Sequence, residues 1–433
     1  MRGTIFLPGD KSIAHRAIIL SALAGSKTVL KNIPFNEDSL ATINAIRKLG
    51  IKIKLNKASC QAVVFGKKLF GLIKPGNPVF YIKESGTTFR LLLGILAGQD
   101  FKTKLHAGPI LSRRPMLRVI KPLRLMGARI SARRGRAQGA KREEYPPIIV
   151  EGGNLKGITY KIPVASAQVK GALLLAGLFA RGQTKIIEPV KTRDHTERML
   201  KLFKAKIKTK GNAITIAGGK CLVSPCRLYI PSDISSAAFF MVAASIVPDS
   251  EILIKNVSLN PGRLGLIKAL KRMGGALKIE KSKLSSRNNE PMGDILVFSR
   301  RLRGIRIRKS DTPSLIDELP ILMVAASLAK GVSVFENVGE LRVKETDRVK
   351  SMLVNLTKMS ANIKVVKSGA QENIIIKGVR ELCGSRLSSF GDHRTAMSMT
   401  IAGLASRGKT SIDDLSCINK SFPNFLEVLN SLT

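Results

Sequence analysis

The chain has 433 residues, 44% of them apolar, and can bury more than one core; length alone sets a prior of about three domains. Its formal net charge is +43, but aromatic residues make up only 5% and tryptophan is absent, which argues against a nucleic-acid binder built on stacked rings and leaves most of the charge as solvated surface. Five scattered cysteines without a CxxC and four histidines without zinc-like spacing argue against a disulfide framework and a metal centre, and no apolar run reaches the 18 residues of a membrane span; with no leader peptide legible, a cytoplasmic location is expected.

Six times along the chain a polar or charged cluster runs into an apolar, Ala-rich helix, and a short turn then leads to an alternating strand. The helix segments are Ala17–Gly25, Leu91–Gly98, Ala172–Gly182, Ala237–Val247, Leu319–Gly331 and Ala396–Gly403. The strands that follow are Thr28–Ile33, Lys102–Ala107, Thr184–Pro189, Glu251–Val257, Val332–Val338 and Thr410–Leu415. A second helix closes several repeats, with tails such as Ile46–Gly50 and Leu356–Ala361. Counted from Ser12, Thr87, Gln168, Ser236, Glu318 and His393, the pattern recurs every 68 to 82 residues, which favours two lobes of three units over three unrelated domains. The least apolar residues of each unit fall at the start of its buried helix, where free N–H groups and the positive end of the helix dipole attract anions.

Gly9-Asp10-Lys11-Ser12 lacks the spacing of a P-loop and reads as a strand end, a turn and a helix starting near Ser12, with Lys11, Ser12 and Arg16 around its N-terminus. Gly86 permits close backbone approach, Thr87 is the expected cap of the second helix, and Arg90 lies one turn in. Arg113-Arg114-Pro115 follows the next strand, offering planar guanidinium groups to a carboxylate or phosphate. Ser166-Ala167-Gln168 opens the third helix and Thr192-Arg193-Asp194-His195 follows its strand; a surface position at a helix start is the expectation for His195. Asp317-Glu318 precedes the fifth helix, and Lys344-Glu345 at a strand-to-helix junction places a carboxylate beside a cation, the pairing needed for proton exchange with a substrate. His393-Arg394 and Asn419-Lys420 complete the sixth unit.

LPGDKSIAHR (7–16) and RVKETDR (342–348), with SAQVKGALLLAGL (166–178) and TRDHTERML (192–200) between them, resemble the 5-enolpyruvylshikimate-3-phosphate synthase family of enolpyruvyl transferases over essentially the whole chain. The resemblance implies an α/β (α+β) two-lobed fold of six βαβαββ repeats, three per lobe, with helices buried and sheets outside. It implies an inserted lobe of residues 11–231, a second lobe of 1–10 plus 232–433, and an active site in the cleft between them. The implied reaction transfers the enolpyruvyl group of phosphoenolpyruvate to the 5-hydroxyl of shikimate 3-phosphate by addition and elimination. Those substrates bring roughly five to six negative charges, since a phosphate carries about −1.5 to −2.

By the same resemblance, Lys11, Ser12, Arg16, Ser166, Ala167, Gln168, Arg193, Asp317 and Lys344 hold shikimate 3-phosphate. Lys11, Gly86, Arg114, Gln168, Arg348, Arg394 and Lys420 hold phosphoenolpyruvate. Asp317 and Glu345, with Lys11 and Lys420, carry the chemistry; no metal or organic cofactor is implied. The resemblance also implies glyphosate as an inhibitor and small molecules, rather than a membrane or a specific nucleic acid, as partners of a monomer. The sister transferases acting on UDP-N-acetylglucosamine carry a reactive cysteine before the Arg-Pro, where this chain has Gly108–Arg113 and no thiol. One departure stands out: Glu84 replaces the usual Asn, which is expected to repel phosphoenolpyruvate unless Arg90 or Lys83 neutralises it.

Overall fold

The computed structural model describes all residues except 137–141, 283–289 and 370. The chain divides into two compact units. The inserted unit comprises Gly9–Ile230 with Arg287–Glu290, and the flanking unit comprises Met1–Pro8, Pro231–Ser286 and Pro291–Thr433.

The inserted unit is built on three four-stranded sheets of one design. In the first, Lys27–Lys31 pairs in parallel with Arg227–Tyr229 and antiparallel with Gln61–Phe65, which in turn pairs with Lys52–Asn56. Val79–Tyr81, Lys102–His106, Arg142–Glu151 and Arg129–Arg136 repeat that order. So do Thr159–Lys161, Gln183–Ile187, Ala213–Ala217 and Ile207–Lys210. Alternation along a strand sends side chains to opposite faces. Thr28 and Leu30 are therefore buried while Lys27 and Lys31 are exposed, and Ile53 is buried between exposed Lys52 and Lys54. Part of the excess charge thus lies on the outer faces of these sheets.

Among the described residues the α-helices of the unit are α1 (Lys11–Leu23), α2 (Glu37–Lys48), α3 (Gly86–Leu96), α4 (Leu117–Leu125), α5 (Ala167–Gly177) and α6 (His195–Leu202). Helices α1, α3 and α5 are apolar on nearly every side and are buried on nearly every side, as a core helix must be. Helix α3 lies so close to α5 that a Cβ on Gly94 would come 2.1 Å from the Ala172 carbonyl oxygen. The packing fixes where the polar N-termini of these helices can be.

In the flanking unit, Arg2–Phe6 pairs in parallel with Glu251–Ser258, followed by Met292–Phe298 and Ala276–Lys281 in antiparallel order. Arg306–Ile307, Val332–Phe335, Gln371–Lys377 and Asn362–Ser368 repeat the arrangement. The sixth repeat keeps only two parallel pairs, Leu382–Cys383 with Ser406–Arg407 and Arg386–Leu387 with Ser411–Ile412. The strand expected over Thr410–Leu415 is therefore reduced to Ser411–Ile412. The side chains of Asp413 and Asp414 accept from the backbone N–H groups of Ser389, Asp414 and Ser416, local bonds that compete with a strand ladder. The strand expected over Val332–Val338 likewise ends at Phe335, ahead of Asn337 in the left-handed region at φ 54°. The core helices of this unit are α7 (Ile234–Ile246), Leu319–Ser327 and His393–Leu404; α8 (Gly265–Arg272) and Arg348–Lys358 are amphipathic.

Candidate functional site

Each unit gathers its own group of polar side chains at the starts of its core helices. In the inserted unit, Asp10 Oδ1 accepts from Ile13 N at 2.9 Å and starts α1 at Lys11, one residue ahead of Ser12. The Lys11 ammonium donates to Asp38 at 2.7 Å. Arg16 is buried; its Nε donates to Thr196 Oγ1 at 2.6 Å and its Nη1 to the Ser12 carbonyl at 2.7 Å. Burial, and then the neighbouring Arg193 cation, pull the Arg16 guanidinium down to about 10.

Ser85, not Thr87, caps α3, accepting from Thr88 N. The helix starts two residues earlier than a Thr87 cap implies, with Gly86 as its first residue. Thr87 instead accepts from Gln168 Nε2 at 2.9 Å, while Gln168 Oε1 accepts from Arg90 Nη1 at 2.9 Å, so the starts of α3 and α5 are joined. A Cβ on Gly86 would lie 2.8 Å from Arg90 Nη1 and 3.0 Å from Arg114 Nη1, which places both guanidinium groups over this glycine. Ser166 caps α5, accepting from Val169 N.

Glu84 does not need Arg90 or Lys83 to compensate it. Its carboxylate accepts from Ile110 N at 3.2 Å and Leu111 N at 2.6 Å, holding the turn that leads to Arg114. A Cβ on Gly108 would sit 2.1 Å from Glu84 Oε1, so that glycine leaves the room the carboxylate occupies.

His195 is fully buried rather than on the surface; its Nδ1 lies 2.8 Å from the Glu290 carboxylate, also buried. His15 is buried too, and a chain of contacts runs from its Nδ1 through Thr42 and Thr88 to Ser85 at 2.6, 2.7 and 2.7 Å. Burial holds the His15 imidazole down to about 3, a neutral ring over the whole working range.

The flanking unit concentrates carboxylates around arginines. Arg348, buried, donates through Nε and Nη2 to Asp392 Oδ2 at 3.0 Å each and through Nη2 to Glu345 Oε2 at 2.7 Å. Its Nη1 lies 4.0 Å from Asp317 Oδ1. Burial alone lowers a guanidinium, but Asp392, Glu345 and Asp317 outweigh it and push Arg348 above its ordinary value. Arg263 donates to Asp317 Oδ2 at 3.2 Å, to Glu318 at 3.1 Å and to the Ser235 hydroxyl. Arg394 Nη1 donates to the Asp317 carbonyl at 2.8 Å. Asp317, Glu345, Arg348 and Arg394 are therefore brought together, with Arg348 ion-paired to Glu345. Lys344 and Lys420 are half-buried at the ends of two 3₁₀ turns, Val338–Val343 and Ser416–Lys420.

The model of the family described as EPSP synthase (3-phosphoshikimate 1-carboxyvinyltransferase) matches residues 1–429. The chain belongs to the EPSP synthase family. A 3-phosphoshikimate 1-carboxyvinyltransferase of Geotalea daltonii is 47% identical over 433 residues, spanning 100% of this chain and 97% of that protein. One from Syntrophomonas wolfei is 45% identical over 434 residues, with the same coverage. A solved EPSP synthase of Acinetobacter baumannii superposes with a TM-score of 0.86 at 40% identity, covering 100% of this chain and 95% of that one.

Sequence reading missed several residues that organise these clusters. Asp38, Thr196, Arg263 and Asp392 each bond a candidate site residue directly or through another. Asp392 was legible, since an Asp immediately before His393-Arg394 at a helix start is a cap; its Oδ1 accepts from Arg394 N and Thr395 N. Arg263 had no signal, because it acts from a 3₁₀ turn about 54 residues before Asp317. Among the described residues no group of His, Cys, Asp and Glu has metal-site geometry, and no helix is long and apolar enough to cross a membrane.

Proposed function

We propose that this protein transfers the enolpyruvyl group of phosphoenolpyruvate to the 5-hydroxyl of shikimate 3-phosphate and releases inorganic phosphate. Full-length membership of the EPSP synthase family supports the reaction, and the Asp317–Arg348–Glu345 cluster is the observation that carries its residue assignment. In this reading, Lys11, Ser12, Arg16, Ser166, Ala167, Gln168, Arg193, Asp317 and Lys344 bind shikimate 3-phosphate. Lys11, Gly86, Arg114, Gln168, Arg348, Arg394 and Lys420 bind phosphoenolpyruvate.

Asp317 takes the proton of the 5-hydroxyl as its oxygen bonds to C2 of phosphoenolpyruvate, and Glu345 delivers a proton to C3. The product is a tetrahedral intermediate. Glu345 then recovers a proton from C3 as the C2–phosphate bond breaks and the enol double bond re-forms. Lys11 and Lys420 offset the charge on the departing phosphate. Arg348 suits Glu345 to both steps, because a carboxylate fixed in one rotamer beside a buried cation keeps its reach.

The experiment is release of inorganic phosphate with both substrates, each omitted in turn. Release that requires both establishes the transfer. Glu345→Gln should then lower turnover by at least about 10²-fold, the low end for a general acid–base group; near-normal turnover removes Glu345 from the chemistry. Glyphosate should compete with phosphoenolpyruvate, and no inhibition at high concentration would count against the assigned pocket. We assign the enzyme as a monomer located in the cytoplasm; light scattering at twice the chain mass would overturn the first point, and fractionation with the membranes the second.

A further inference from the structure

The inserted unit contains a charged cluster that no step above uses. Lys170, fully buried one turn into α5, donates to Glu188 at 2.9 Å and to Glu197 at 2.7 Å, and both carboxylates are buried as well. Three buried charges cost far more than three leucines would, and such groups are tolerated where their geometry is used.

From this cluster the bonds run outward to three segments with assigned site residues. Lys170 N donates to the Ser166 carbonyl at 3.0 Å, at the start of α5. Glu188 accepts from Thr192 N at 3.2 Å and from the Thr192 hydroxyl, which fixes the residue before Arg193. Glu197 follows Thr196, whose hydroxyl receives Arg16 Nε at 2.6 Å. The Arg193 cation lies near enough to Arg16 to act against the Arg16 charge. Gly171, beside Lys170, supplies the space for this arrangement. A Cβ there would lie 3.1 Å from Thr196 Oγ1, 3.3 Å from Arg16 Nη2 and 3.0 Å from Leu91 Cδ2.

We propose that Lys170, Glu188 and Glu197 are positioning residues that hold Arg16 and Arg193 at the spacing shikimate 3-phosphate requires. The inference rests on the assignment of those two arginines to that substrate. Two guanidinium groups without a ligand repel one another, and an anchored frame keeps them in place until a dianion arrives. Lys170 is tied to both carboxylates at once, so the segment carrying Thr192 and Arg193 cannot shift without disturbing the one carrying Thr196. The cluster touches no substrate itself.

The test measures phosphate release while each substrate is varied at saturation of the other, with thermal midpoints recorded for every variant. Arg193→Ala serves as the reference, Glu188→Gln removes a charge at constant shape, and Gly171→Ala crowds Arg16 and Thr196 while leaving every charge in place. Supporting residues behind a site typically contribute about 10- to 100-fold. Arg193→Ala, Glu188→Gln and Gly171→Ala should each raise the KM for shikimate 3-phosphate by about 10-fold or more, while the KM for phosphoenolpyruvate changes by less than about 2-fold.

Gly171→Ala, with the cluster intact, shows what displacing Arg16 alone does to that KM. Glu188→Gln should match it while kcat and the KM for phosphoenolpyruvate hold, a split that a purely structural role would not give. If Glu188→Gln fails to fold, Glu197→Gln, which removes the charge of the other carboxylate at constant shape, takes its place. Should Arg193→Ala raise that KM while the carboxylate variant does not, the cluster is structural and the inference fails, with the substrate assignment standing. An unchanged KM in Arg193→Ala would overturn the substrate assignment and the inference together.

Discussion

The buried arginines Arg16 and Arg90 of one unit and Arg348 and Arg263 of the other have opposite surroundings. In the inserted unit, Arg16 is bonded to a hydroxyl and a carbonyl, and Arg90 to an amide oxygen and two carbonyls. In the flanking unit, Arg348 touches three carboxylates and Arg263 two. The first arrangement leaves positive charge to be used on an anion. The second largely neutralises it within the protein and fixes carboxylates in turn, which is how proton-handling groups are oriented. The direction of the shifts agrees, since Arg16 is lowered to about 10 while Arg348 is raised.

The largest expected effect tests this contrast directly. Arg348→Met strands the buried Asp392 and its neighbours, and breaking a buried pair from one side costs about 3–5 kcal/mol. Arg16→Met leaves only neutral acceptors and should cost about 1–3 kcal/mol. Urea midpoints of both variants compare the two, and equal losses would erase the distinction between the units. Next comes His15. Its folded value near 3 lies below its unfolded value, so its contribution is complete above about pH 6.5 and fades as pH falls toward about 3. The slope is about 1.4 kcal/mol per pH unit, and His15→Gln should flatten the acid side of the stability curve by that amount.

Smaller again is Gly86→Ala, whose new methyl group crowds Arg90 and Arg114. The KM for phosphoenolpyruvate should rise about 10-fold, equivalent to about 1.4 kcal/mol, with that for shikimate 3-phosphate unchanged. A rise in both would show that the inserted unit does not separate the two anions. The smallest effect belongs to Glu84→Asn, which shortens a side chain that caps two N–H groups and should cost about 1 kcal/mol. If Glu84 repels phosphoenolpyruvate, the variant binds it more tightly; if Glu84 holds the Arg114 turn, it binds more weakly, and the structure favours the weaker binding.

Much of this architecture was legible because helix and strand periods are local. The apolar runs of α1, α3 and α5 marked the core helices, and the polar residues before them marked the site. What sequence reading lost depended on distance along the chain or on competition between neighbouring caps. Ser85 and Thr87 both suit a helix start, and only the backbone at Ser85, with φ −80° and ψ 89°, decides between them. Lys344 beside Glu345 was the pair legible in sequence; Arg348, three residues on, also bonds Glu345. Nothing local in the sequence shows that Lys170, Glu188 and Glu197 meet in the core.

The pairing of Arg2–Phe6 with Glu251–Ser258, rather than with a strand of the unit that follows it in sequence, sets a timetable for synthesis. The strand leaves the ribosome before its partner and waits while roughly 250 residues are made, about 12–50 s at 5–20 residues per second. Meanwhile the sheets of the inserted unit can form, because the last of their strands, Arg227–Tyr229, precedes Glu251–Ser258, and Glu290, which meets the buried His195, follows later. A waiting edge invites wrong pairing, but only Ile5 of those five residues is destined for burial, and Arg2, Gly3 and Thr4 make a poor template. The nascent chain can thus hold its first strand unpaired until the second unit is made.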